Sequence, residues 1–68
     1  MENIGSVPIW RKHLLTITEA SEYFNIGEKK IREILERNPD ADYLLMNGKK
    51  HLIKRVKFGQ MLDDVNII

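Results

Sequence analysis

The sequence predicts a small α+β domain with the element order of a winged helix-turn-helix: two short helices, a β-hairpin and a third helix. Its 68 residues allow one small core only, and a content of 43% apolar and 31% charged residues is that of a globular domain. Apolar residues recur at helical spacing in three stretches. An Asn-Gly pair separates two apolar-containing runs between the second stretch and the third.

The N-terminal residues precede any periodic pattern. Residues 1–13 are therefore interpreted as an arm, and residues 14–68 as the winged-helix domain. Pro8-Ile9-Trp10 is the hydrophobic stretch of the arm, and Trp10 is expected to pack in the core or to anchor the arm against it.

The first helix is predicted over residues 17–25. Thr16 followed three residues later by Glu19 has the spacing of a capping box, in which each side chain bonds the other residue's free backbone N–H. The residues at helical spacing after this cap are Ile17, Ala20 and Phe24.

The second helix is predicted over residues 28–37. Gly27 precedes it, as a helix cap or as a residue of positive φ in a tight turn. Asn38-Pro39 ends it, because a residue before proline is driven out of the helical region. Its core face is formed by Ile31, Ile34 and Leu35. Two short helices joined by a glycine-containing break match the helix-turn-helix arrangement.

Asn47-Gly48 predicts the turn of a β-hairpin between residues 43–46 and 49–54. The register stays open, because residues 43–46 are apolar throughout, and Ile53 is the residue of the return strand expected to point inward.

A third helix is predicted from four apolar residues at i, i+3, i+4 and i+7: Phe58, Met61, Leu62 and Val65. Gly59 weakens its middle by up to about 1 kcal/mol. Asp63 and Asp64 oppose the helix dipole, so its C-terminal end is expected to fray.

The polar face of the second helix is the first candidate binding surface. Opposite the core face lie Lys29, Glu33 and Glu36, flanked by Lys30, Arg32 and Arg37. Such a helix suits the DNA major groove, where Arg or Lys bonds guanine and Glu accepts a hydrogen bond from cytosine N4. From the helix alone, a solvated face with ion pairs such as Glu28–Arg32 and Glu33–Arg37 explains the pattern equally well.

A basic stretch is the second candidate surface. Residues 49–57 carry five basic side chains and no acid, although the whole chain has a net charge of only +1 and ten acidic residues. Its polar members are Lys49 and Lys50 at the hairpin tip, His51 just beyond, and Lys54, Arg55 and Lys57 at the base. Lysines that protect an edge strand from aggregation are the alternative, but they do not explain the absence of acids. DNA contact through about four or five phosphates predicts a slope of log K against log salt near −4.

Several classes of function are not expected. The chain has no cysteine, its two histidines, His13 and His51, have no carboxylate at metal-ligand spacing, and it has no phosphate-binding glycine loop. We therefore predict neither an enzyme nor a cofactor or metal. Apolar runs of about four residues at most predict no membrane partner. Without a signal-peptide core, a cytoplasmic protein is the default expectation.

Five stretches carry a resemblance to a known family: Pro-Ile-Trp at 8–10, Leu-Thr-Ile-Thr-Glu-Ala-Ser-Glu-Tyr-Phe at 15–24, Ile-Gly-Glu at 26–28, Leu-Met-Asn-Gly at 45–48 and Ile-Lys-Arg at 53–55. On these the chain resembles, from about residue 7 to 65, the small excisionases of Gram-positive conjugative transposons of the tetracycline-resistance type. The Leu-Thr-x-x-Glu-Ala opening is shared with many winged-helix regulators of the MerR and phage-excisionase type. The Met-Asn-Gly wing followed by Ile-Lys-Arg is more specific.

The resemblance implies a recombination directionality factor without catalytic activity of its own. Such proteins bind double-stranded DNA near the ends of an integrated element, bend it, and help a tyrosine integrase assemble the excision complex. By position, the second helix would read the major groove with Lys29, Lys30, Arg32, Glu33 and Arg37. The hairpin wing would hold the adjacent backbone or minor groove with Lys49, Lys50, His51 and Lys54.

Two other functions are considered. A small phage- or element-encoded transcription regulator would use the same DNA-binding surface. A winged-helix protein-interaction module would instead need an exposed apolar patch and would bind almost independently of salt. Because no heptad or exposed apolar face is evident, we expect a monomer that binds repeated DNA sites cooperatively.

Overall fold

The computed structural model describes residues 7–68, so the first six residues of the predicted arm lie outside the described residues. Three helices, α1 (Ile17–Phe24), α2 (Glu28–Arg37) and α3 (Arg55–Asp63), accompany an antiparallel sheet of β1 (Leu14–Leu15), β2 (Leu44–Asn47) and β3 (Lys50–Lys54). The strand order is β1-β3-β2. The predicted α+β fold, a small winged helix-turn-helix, is therefore confirmed.

The predicted capping box starts α1. Thr16 Oγ1 accepts a hydrogen bond from the Glu19 backbone N–H at 3.1 Å, and Glu19 Oε1 accepts one from the Thr16 N–H at 3.0 Å. Partial burial raises the pKa of Glu19, but bonds from the Lys12 ammonium and from the Thr16 backbone outweigh it, so this pKa lies below its ordinary value. The carboxylate therefore ties the start of α1 to the segment before it.

The turn between α1 and α2 uses an asparagine rather than the glycine for its left-handed residue. Asn25 has φ 58° and ends α1, and Asn tolerates this region better than most residues. Gly27, at φ −59°, is instead the N-cap of α2. The α2 helix ends at Arg37, and the side-chain amide of its C-cap residue, Asn38, donates to the Ile34 carbonyl at 2.8 Å.

The core lies between the helices and one side of the sheet. Phe58 of α3 is fully buried, and its ring centroid lies 5.0 Å from the rings of Phe24 and Tyr43. Aromatic pairs at this separation stabilise beyond the area that they bury. The other buried side chains are Leu15, Ile17, Ala20, Ile31, Leu35 and Ile53. Ile53 thus points inward as predicted.

The hairpin forms where predicted, but its turn is shifted by one residue. Asn47 pairs with Lys50 in the ladder, so the two turn residues are Gly48 and Lys49. Gly48 has φ 64°, and glycine at the first central position is typical of a type II′ turn. Lys49 therefore occupies the extreme tip of the wing.

A third strand was not predicted. Leu14 pairs with Lys54 and Leu15 with Ile53, so β1 covers the edge of β3 that β2 leaves open. A strand of two residues has no periodicity from which it could be recognised.

The third helix begins and ends earlier than its apolar spacing predicts. It follows β3 without a loop, and the N–H of its first residue, Arg55, bonds the His13 carbonyl at 3.0 Å. It ends at Asp63, where two carboxylates oppose the helix dipole. The expectation that Val65 completes its buried face is wrong, since Val65 lies beyond the helix and is exposed. Arg55 and Lys57 belong to α3 and not to the hairpin.

The segment before β1 reaches the hydrophobic core through Ile9. Residues Ile9–Arg11 form a 3₁₀ turn in which Ile9 contacts the core. Trp10 is 63% exposed, so it does not pack in the core, and of its two expected roles only that of an anchor of the arm stays a prediction. The division into an arm of residues 1–13 and a domain of residues 14–68 stays a prediction. No helix within residues 7–68 has the length and apolar content needed to cross a bilayer.

Candidate nucleic-acid interface

The outer face of α2 is charged and accessible. Glu28 and Arg32 approach to 3.9 Å, and Lys30 and Glu33 to 3.3 Å. The first pair was expected, whereas Glu33 pairs with Lys30 rather than with Arg37. Exposed pairs of this kind contribute only about 0.2–0.5 kcal/mol each, so both cations can turn to another anion at little cost.

The wing lies beside α2. A small cleft of about 30 Å³ is lined by Arg32 and Glu36 of α2 and by His51 of β3, with Ile17 and Leu35 as its apolar residues. The recognition-helix candidate and the hairpin therefore share one side of the molecule.

Strand alternation divides the polar residues of β3 between the two sides of the sheet. His51 is on the same side of the sheet as Ile53, the side that faces the core, and it lines the cleft next to α2. Lys50 and Lys54 lie on the opposite side. Lys50 is exposed beside the tip, whereas Lys54 is partly buried at the base of the hairpin, opposite Leu14. Lys49, Lys50 and His51 are thus near the end of the wing, and Lys54 is not.

The basic stretch is partly used inside the fold. Lys57 pairs with Asp42 at 3.6 Å. Arg55 donates to the Lys12 carbonyl at 2.8 Å and lies over the Tyr23 ring, 5.7 Å from its centroid. In the part of the chain from residue 7 onward, no carboxylate is within ion-pair distance of Lys49 or Lys50. Lys49 and Lys50 near the wing tip are therefore available to contact an anion.

The basic residues of α2 occupy different flanks. Arg32 lines the cleft beside the wing, whereas Arg37 and Ile34 line an open groove on the other flank, next to the C-terminal segment. Lys29 is on the exposed face between them. Arg32 is thus the α2 cation that lines the cleft shared with the hairpin.

One exposed residue on this side was missing from the candidates. Met46 pairs with His51 across the hairpin, so the two side chains share a face, and Met46 is 49% exposed. Only the strand register assigns it to that face, and an all-apolar run does not reveal a register. No group of three His, Asp or Glu side chains suited to a metal ion occurs within residues 7–68.

These features define a small winged helix-turn-helix protein, in which the charged second helix shares a cleft with a wing that carries two lysines near its tip. A family profile described as "Excisionase from transposon Tn916" matches residues 2–68. A curated protein named excisionase from transposon Tn916, of Streptococcus agalactiae serotype V, is 47% identical over 62 residues, which cover 91% of this chain and 92% of the relative. The chain therefore belongs to the Tn916 excisionase family, and the resemblance found in the sequence is confirmed.

Proposed function

We propose that this chain is a DNA-binding and DNA-bending accessory protein that promotes excision of a mobile element by a tyrosine integrase. Membership of the excisionase family supports the excision role. The observation that carries the DNA-binding part is the shared cleft of Arg32 and His51, because it joins α2 and the wing in one surface.

In this proposal α2 lies in the major groove, which is about 12 Å wide and admits one helix. Its contacts come from Lys29, Lys30, Arg32, Glu33 and Arg37. The ion pairs at Glu28 and Glu33 open on binding, since each is exposed and weak. The acidic residues lower the attraction for arbitrary phosphates and offer acceptors to cytosine, which favours sequence discrimination.

The wing holds the neighbouring backbone or minor groove. Lys49, Lys50 and His51 supply the contacts near the tip, and Lys54 supplies one from the base on the outer side of the sheet. Bending of the duplex is the part of the proposal that comes from the family resemblance. Bending costs about 1–6 kcal/mol, which the added contacts offset. The chain itself acts without a catalytic step, as a monomer that binds adjacent sites on the element ends cooperatively.

The proposal is tested by titrating a labelled duplex from the ends of the host element, and a duplex of random sequence, at several salt concentrations. We expect preference for the element end and a slope of log K against log salt of about −4. Lys50→Ala lowers the slope by about one, whereas Lys57→Ala does not, because Lys57 is on α3, in a groove that it lines with Asp42 and Asp64 outside the hairpin.

Other outcomes point elsewhere. Absence of duplex binding, or binding that salt does not change, contradicts the proposal and favours a protein-interaction module. Preference for a promoter over the element ends favours a transcription regulator. Excision reconstituted with purified integrase tests the remaining part: recombination that does not depend on the added chain contradicts an excisionase role.

A further inference from the structure

The edge strand of the wing carries an exposed apolar residue that folding does not explain. Met46 is in β2, at the edge of the sheet, and it is 49% exposed. It does not pack against the buried cluster, whereas Leu44 of the same strand does. The residues Leu44–Asn47 include no charge, although edge strands are commonly protected by lysine.

The register assigns this residue to a particular side of the wing. Met46 is directly opposite His51, and directly opposed residues project from the same face of a sheet. His51 in turn lines the cleft with Arg32 and Glu36 of α2. Met46 therefore lies on the α2-facing side of the hairpin, one strand further out than His51.

We infer that Met46 is a DNA contact of the wing, supplying an uncharged contact to the deoxyribose rings and base edges of the groove that the hairpin enters. The inference rests on the proposed function and adds a residue to it. Sugar rings and base edges are partly apolar, and methionine is among the apolar side chains that minor-groove-binding proteins insert between base steps. The flexible thioether adapts to such irregular surfaces.

This contact complements the lysines at the tip. Lys49 and Lys50 release counterions on binding and make affinity depend on salt, whereas burial of an uncharged side chain does not. The two kinds of contact therefore separate in a salt titration. In a plot of log K against log salt, loss of Met46 changes the intercept alone, whereas loss of a lysine changes the slope.

The adjacent residue provides a matched control. Leu45 is also a large apolar residue of β2 and is 38% exposed, but it pairs with Leu52 on the opposite face of the sheet. Met46→Ala and Leu45→Ala thus remove similar side chains from the same strand on different sides. Met46→Gln, which keeps the length and changes only the polarity, serves as a second test variant.

The experiment measures binding of each variant to the element-end duplex across salt concentrations, with urea unfolding as the check on folding. We expect Met46→Ala and Met46→Gln to weaken binding about 5- to 15-fold at every salt concentration with the slope unchanged, and Leu45→Ala to weaken it less than about twofold. If Met46→Ala does not fold, Met46→Gln alone decides.

Each contrary result has a distinct meaning. If the unmodified protein binds the duplex with a steep salt dependence and both Met46 variants bind equally well, the inference is wrong and the proposed function stands. Equal losses at Leu45 and Met46, or a slope reduced by about one in the Met46 variants, also overturn it. If the unmodified protein does not bind duplex DNA at all, the proposed function itself fails.

Discussion

Arg32→Ala removes the cation that α2 presents beside the wing, and the structure makes this a clean perturbation of binding. The Arg32 side chain is 60% exposed, and its ion-pair partner, Glu28, is 3.9 Å away. Loss of such an exposed i,i+4 pair lowers the free energy of unfolding by only about 0.3–0.5 kcal/mol. The variant should therefore fold as the unmodified chain does.

The expected loss of binding is much larger. One bidentate contact between an arginine and guanine contributes about 1–3 kcal/mol of discrimination between bases. This corresponds to a loss of about 5- to 150-fold in affinity for the specific duplex. Affinity for random duplex falls by much less, because in that complex Arg32 contributes only its charge.

The assay is fluorescence anisotropy with the element-end duplex and a random duplex, for Arg32→Ala and Lys50→Ala in parallel. Lys50 is exposed beside the wing tip, so its loss should weaken both complexes similarly and reduce the salt slope by about one unit. If the two variants show the same ratio of specific to random affinity, the assignment of base reading to α2 and phosphate binding to the wing is refuted.

Three further predictions concern stability and are checked by urea unfolding. Phe58→Ala should lower the free energy of unfolding by about 3–5 kcal/mol, because the ring is fully buried and lies against two other aromatic rings. A cooperative transition near that of the unmodified chain would show that α3 is not essential. The pKa of Glu19 is lowered in the folded state, so its carboxylate stabilises the fold above the unfolded pKa, and this stabilisation is lost as pH falls through the folded pKa. Glu19→Gln should therefore flatten the decline in the free energy of unfolding below about pH 4.5. A decline as steep as that of the unmodified chain would contradict this. Gly59→Ala should stabilise α3 by about 0.5–1 kcal/mol, because the added Cβ would lie 3.6 Å from Phe24 Cε1, an ordinary contact; a loss of stability would show that the site is too tight.

The sequence predicted the elements whose signals are local. The capping box at Thr16, the apolar spacing of Ile31 and Leu35, and the Asn-Gly hairpin signal each concern residues a few positions apart. The apolar spacing follows from the helical period, the capping box from the hydrogen bonding of free backbone N–H groups, and the turn from the conformational freedom of glycine. These interactions are already present in short segments, so the order of helices and hairpin, and with it the fold class, could be read without the structure.

Tertiary structure decided everything that depends on contacts between distant residues. The pairing of Leu14 and Leu15 with β3, the start of α3 at Arg55 and the exposure of Trp10 have no local signal. The same holds for the proposed DNA-binding surface. Its charged residues could be identified from the sequence, but the face of the fold on which each of them lies could not. Strand register, which an apolar run leaves undetermined, separated His51 and Met46 from Lys54, and packing used Arg55 and Lys57 within the fold.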